Sequence, residues 1–83
     1  MNNKQIIRKF IEENAMEYNK EIILMDDDDF FEIGFVDSLF TIKLINFLES
    51  RFEITFDLVD IDLENFNTVN RIVNTIEKRL SYK

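Results

Sequence analysis

Residues 32–40 read Glu-Ile-Gly-Phe-Val-Asp-Ser-Leu-Phe; they hold the only glycine of the chain, Gly34, and set an acid beside a hydroxyl at Asp37 and Ser38. A serine acts as a nucleophile when a base takes its proton and a third group orients that base. The 83-residue chain has no histidine and no cysteine. Lys43 lies on another face of the helix that Ser38 would open, so it is poorly placed as a substitute base. A serine hydrolase is therefore disfavoured, and so is a zinc enzyme, because the usual nitrogen and sulfur ligands are missing. The remaining chemistry reverses the roles: Ser38 is the acceptor of a group that another enzyme attaches. The first turn of a helix has free N–H groups at the positive end of the dipole, where an attached phosphate is stabilised. Asp37 is placed to N-cap that turn. A plain helix cap is the other reading of Asp37-Ser38, and the two roles are compatible.

The elements that must position this pair follow from periodicity. Ile6, Ile7, Phe10, Ile11 and Ala15 share one face of an amphipathic helix over about residues 3–17. Ile22, Ile23 and Leu24 form a short apolar plug. Residues 25–37 fit neither period and read as a long ordered loop, pinned by Phe30, Phe31, Ile33 and Phe35. From Ser38 to Phe52 the helical pattern returns, with Thr41, Leu44, Ile45, Leu48 and Phe52 on the core face and Leu39 joining it. Residues 53–59 alternate like a strand, but one unpaired strand is not viable in water, so a connecting loop is expected. Residues 60–66 can make one or two helical turns. Asn67 or Thr68 then caps a last helix with Val69, Ile72, Val73, Ile76 and Leu80 inward. Three full helices and one short one, each with a single apolar stripe, predict an all-α, four-helix bundle in one domain over residues 1–83.

The net charge is −7, and its distribution narrows the partners. Residues 26–38 carry six acids and no base, and residues 57–67 carry four acids and no base. Such a surface repels nucleic-acid phosphates and complements a basic protein partner. No apolar run approaches the roughly 20 residues of a membrane span. The N-terminal residues lack the apolar core of a signal peptide, so a cytoplasmic protein is expected. An EF-hand loop begun at Asp26 would meet Phe30 at its fifth position and Phe31 where glycine is required. Asp26–Asp29 therefore read as a solvated acidic run, and no metal ligand is assigned.

In sequence, Gly34-Phe35-Val36-Asp37-Ser38-Leu39, a helix ending at Phe52, a short acidic segment and Asn67-Thr68-Val69 opening the last helix resemble the acyl carrier and peptidyl carrier proteins. The resemblance spans about residues 4–80. It implies that Ser38 carries a 4′-phosphopantetheine arm, with Asp37 the preceding acid and Leu39 anchoring the helix start in the core. It implies a carrier without catalytic activity, monomeric, its arm attached by a phosphopantetheinyl transferase. An adenylating ligase or acyltransferase would load it, and a downstream enzyme would take the cargo. Gly34 would let the chain turn into the helix, by φ > 0 or by close backbone approach.

Fatty-acid carriers typically have one residue between the glycine and the Asp. Here there are two, Phe35 and Val36, which is more similar to D-alanyl carriers and the peptidyl carriers of non-ribosomal synthesis. Lys43, Ser50 and Arg51 also stand where fatty-acid carriers usually have acids. The expected cargo is therefore an aminoacyl or specialised acyl group, in specialised or cell-envelope biosynthesis. A fatty-acid or polyketide carrier, and an unmodified acidic interaction module, are the alternatives. Phe40, Lys43 and Phe47 form a stripe off the expected core face. An exposed aromatic pair there would suit partner docking; packing of both rings on the Phe30–Phe35 loop is the equal alternative.

Overall fold

The computed structural model describes residues 2–14, 23–37, 39–57 and 61–81. Helix α1 spans Asn3–Glu13, α2 spans Phe40–Phe52 and α3 spans Val69–Ser81; a single 3-10 turn, Leu63–Asn65, precedes α3. The described residues contain no strand. No helix among them is long and apolar enough to cross a membrane.

Each helix has a local reason to start where it does. Asn2 caps α1: its side chain accepts the Gln5 N–H at 2.8 Å, and the Gln5 side chain accepts the Asn2 N–H at 3.1 Å. This reciprocal box satisfies two of the donors that a helix start leaves free. Of the two candidate caps for α3, Thr68 is the one used, its hydroxyl accepting the Arg71 N–H at 3.0 Å. α1 ends at Glu13 rather than near residue 17, with Asn14 as its C-cap; Ala15 and Ile22 lie outside the described residues. Of the short fourth helix expected over residues 60–66, the described residues show only the 3-10 turn Leu63–Asn65, and residue 60 lies outside them. Residues 54–57 form no regular element, in agreement with the loop expected there.

α3 is the hub of the packing, with α1 and α2 both lying against it. Ile7 and Ile11 of α1, Phe40, Leu44, Ile45 and Leu48 of α2, and Val69, Ile72 and Ile76 of α3 are buried together with Phe30, Phe35 and Phe66. The face of α2 is rotated from the expected one. Phe40, Leu44 and Leu48 point inward at i, i+4 and i+8, Thr41 and Phe52 are half-buried, and Leu39 is 69% exposed. Leu39 therefore does not anchor the helix start in the core; Phe40, the first residue of α2, is buried there instead. Ile23 is likewise outside, 81% exposed, while Leu24 beside it is buried. The C-terminal end of α2 uses Glu53 in the left-handed conformation, φ 55° and ψ 48°.

Candidate functional site

The loop that leads to Ser38 is a built structure. Residues 29–35 make one helical turn with a cap at each end. At the start, Asp29 Oδ1 accepts the N–H groups of Phe31 and Glu32, both at 3.0 Å. At the end, the Phe35 N–H bonds the Phe30 carbonyl at 3.0 Å and the Gly34 N–H bonds the Phe31 carbonyl at 3.2 Å. Those two bonds, with Gly34 at φ 75°, make a Schellman cap, whose apolar contact is supplied by the buried pair Phe30 and Phe35. Of the two roles open to Gly34, the structure uses positive φ. A Cβ there meets the left-handed penalty of about 1–2 kcal/mol. Gly34→Ala is therefore expected to lower the stability by about that amount, read as a lower urea midpoint with an unchanged slope.

The chain then passes Val36, which is buried, to Asp37, which is exposed. Asp37 Oδ1 accepts the Phe40 N–H at 3.2 Å, and the Asp37 carbonyl accepts the same N–H at 3.1 Å. Leu39 already has helical dihedrals, φ −68° and ψ −22°. Asp37 therefore supplies an acceptor to the N–H of Phe40, the first residue of α2, the kind of capping bond expected of it from the sequence. Ser38 lies outside the described residues. Its two described neighbours, Asp37 and Leu39, are both exposed.

Of the stripe Phe40, Lys43 and Phe47, Phe40 is packed inward against the loop and α1, while Phe47 packs on α1. Phe40 is 3% exposed. Its ring lies 5.6 Å from that of Phe10, 6.4 Å from Phe31, and 5.9 Å from Phe30 in an edge-on pair. Phe47 is half-buried and stacks on Phe10 with ring centroids 4.1 Å apart. Neither ring is the freely exposed aromatic that the docking expectation requires, because α1 brings Phe10 across both. Lys43 is exposed. The apolar side chains that do face solvent on α2 are Leu39 and Ile42, the latter 65% exposed. Their i, i+3 spacing is visible in the sequence, but the nearby phenylalanines are stronger candidates for attention.

The four aspartates are exposed or half-buried, as a solvated run would be, but each also accepts a hydrogen bond or pairs with a base. Asp26 pairs with Lys4 at 2.6 Å and with Arg8, both on α1. Arg8 also donates to the Leu24 carbonyl at 2.6 Å. Asp27 Oδ1 accepts from the Asn70 side chain at 2.7 Å, Asp28 Oδ2 accepts the Met25 N–H at 2.9 Å, and Asp29 Oδ2 accepts from the Asn67 side chain at 3.0 Å. Sequence reading missed the roles of Asp26, Asp27 and Asp29 because their partners lie far away in the chain, on α1, on α3 and just before α3. The local signals were an Asx-type spacing of Asp29 to the turn it opens and the three-residue spacing of Asp28 from Met25.

Hydrogen bonds from Lys4 and then Arg8 hold the Asp26 carboxyl below its ordinary value of 3.8. A carboxylate favoured in the folded state adds stability that is complete above its unfolded pKa and is lost as the pH falls through the lower folded value. Asp26→Asn is therefore expected to lower the urea midpoint at neutral pH. The variant and wild-type curves should converge as the pH drops below the usual carboxylate range. A constant gap at every pH would show that the pairs add nothing.

Residues 5–76 match the family described as "Phosphopantetheine attachment site". The chain is similar to D-alanyl carrier proteins: 40% identical to that of Streptococcus suis and 36% identical to that of Streptococcus mutans, in each case over 76 residues and 92% of both chains. It is 41% identical over 51 residues to the D-alanyl carrier protein of Leuconostoc mesenteroides, covering 61% of this chain and 65% of that one.

Proposed function

The chain belongs to the phosphopantetheine attachment site family, and from that premise we propose that it is a discrete D-alanyl carrier of cell-envelope biosynthesis, modified on Ser38. What supports the assignment of Ser38 is the sequence of caps: a Schellman turn at Gly34, then Asp37 holding the first turn of α2, with Ser38 next in the chain. The neighbours fit a long attached group. Asp37 and Leu39, its neighbours in the chain, are both exposed, which supports a phosphodiester carried in solvent close to the N-terminal dipole of α2.

In the attachment step the Ser38 Oγ would form a bond to the β-phosphorus of coenzyme A. The pyrophosphate P–O bond breaks, adenosine 3′,5′-bisphosphate leaves with the bridging oxygen, and the serine proton passes to the transferase. When attached, the 4′-phosphopantetheine arm supplies a terminal thiol that keeps an acyl group activated as a thioester and delivers it at high effective concentration. Catalysis belongs to the partners: a phosphopantetheinyl transferase, an adenylating ligase that loads the thiol, and an enzyme that takes the cargo. The carrier itself would work in the cytoplasm as a monomer. The 3-10 turn at Leu63–Asn65 takes the place of the fourth, short helix of the carrier bundle.

The partner surface is Leu39, Ile42 and Lys43 rather than Phe40 and Phe47. An apolar pair beside the attachment site with a base next to it differs from the acidic helix expected of fatty-acid carriers, and this favours the D-alanyl reading. The test is intact-protein mass spectrometry after incubation with coenzyme A, Mg²⁺ and a broad-specificity phosphopantetheinyl transferase. It is followed by D-alanine, ATP and a D-alanine-adenylating ligase. A gain of one phosphopantetheine and then one alanyl group supports the reading. Modification without alanyl loading would leave a carrier of another cargo, and no modification of a folded, unmodified sample would overturn the carrier reading.

A further inference from the structure

We propose that Asn67 is a positioning residue for the attachment site, acting through Asp29; this rests on the carrier reading of Ser38. Asn67 sits just before α3, distant in sequence from Ser38, yet it holds the turn that leads there by two bonds. Its carbonyl accepts the Phe30 N–H at 3.0 Å. Its side-chain N–H donates to Asp29 Oδ2 at 3.0 Å. The other oxygen of the same carboxylate, Oδ1, accepts the N–H groups of Phe31 and Glu32. The Asp29 carbonyl accepts the Ile33 N–H at 3.0 Å. One carboxylate therefore caps the turn with one oxygen and is held by Asn67 with the other.

Both ends of the Asn67 amide are used, since its Oδ1 accepts from Arg71 at 3.2 Å. Asn70 adds to the same attachment: its N–H reaches the Asp26 carbonyl at 3.1 Å and its side chain reaches Asp27. Residues 67 and 70 together fasten the loop to the start of α3. The turn they hold ends in Gly34 and the buried Phe35 and Val36, and only Asp37 then separates it from Ser38. Loosening the grip of Asn67 leaves the core side chains in place but frees the approach to Ser38, which lowers the fraction of encounters in which the hydroxyl is presented to a transferase.

The test is the rate of phosphopantetheine transfer from coenzyme A by a purified transferase, measured on the full chain. The variants are Asn67→Ala, Asn67→Asp and the charge-conserving swap Asp29→Asn with Asn67→Asp. Asn67→Ala is expected to reduce kcat/KM by about tenfold, since displacement of a reacting group by about 1 Å can cost about a hundredfold. Asn67→Asp sets two carboxylates face to face and is expected to be slowed as well. The swap restores an amide donor opposite a carboxylate and keeps an oxygen over the turn, so its rate should return to within about twofold of wild type if the pair acts as a unit. Amide exchange at Phe31 and Glu32 should speed up in both single variants and slow again in the swap. Single variants as fast as wild type would overturn the proposal, and so would a swap that stays slow or fails to fold. A wild-type chain that takes up no arm would instead overturn the carrier reading on which the proposal rests.

Discussion

Ser38→Ala is expected to abolish uptake of phosphopantetheine completely while leaving the fold intact. The loss is total because the chain has no cysteine, and a neighbouring hydroxyl such as Thr41 lies further along α2 and half-buried. The fold survives because the cap of α2 belongs to Asp37, whose carboxylate and carbonyl both hold the Phe40 N–H. Alanine has the highest helix propensity, so a helix start held by Asp37 tolerates it, and the expected loss of stability is below about 0.5 kcal/mol. Mass spectrometry after treatment with coenzyme A and a transferase, with circular dichroism on the same sample, checks both halves. An unmodified interaction module would keep its function in this variant, and a carrier would lose it.

Phe40→Ala is expected to be the most damaging of the changes around the site, by about 3–5 kcal/mol. A domain of this length has a total stability of roughly 4–12 kcal/mol, so the variant would stand near its folding threshold. The ring is closed in by Phe10 of α1 and by Phe30 and Phe31 of the loop, and its removal leaves a cavity shared by three segments that cannot all collapse into it. Ile42→Ala, two residues along on the outer face of α2, is expected to change stability by less than about 0.5 kcal/mol. It should slow the reaction with partner enzymes if Leu39 and Ile42 form the docking surface. Urea unfolding of the two variants separates the core role from the surface role. Equal, small effects would return Phe40 to the surface role that its place in the sequence suggests.

The contrast between these two residues shows why part of the site could be read in advance and part could not. Gly34 and Asp37 act through their own backbone and the next few residues. A positive φ favours glycine, and a helix start calls for a short acceptor; both requirements are local, so residue type and spacing reveal them. The inward faces of α1 and α3 were accessible for the same reason, because a 3.6-residue period with a single apolar stripe leaves one choice of side. α2 has apolar residues nearly all round its first turns, at Leu39, Phe40, Ile42, Leu44 and Ile45. Periodicity then permits more than one inward face.

By itself, the sequence determined a helical fold, a cap at Asp37, a cap for α3 at Asn67 or Thr68, a special backbone role for Gly34 and the serine that the family resemblance marks for modification. Only the tertiary structure decided which side of α2 is buried and what the aspartates do. Phe10 reaches across from α1 to take Phe40 inward and to stack on Phe47, which leaves Leu39 and Ile42 for solvent. Lys4 and Arg8 draw Asp26 to α1, Asn70 draws Asp27 to α3, and Asn67 draws Asp29 to the segment just before it. The physical reason is the same in both cases: these contacts join side chains from separate elements, and a one-dimensional pattern records which groups can bond or pack but not which partner the fold brings within reach.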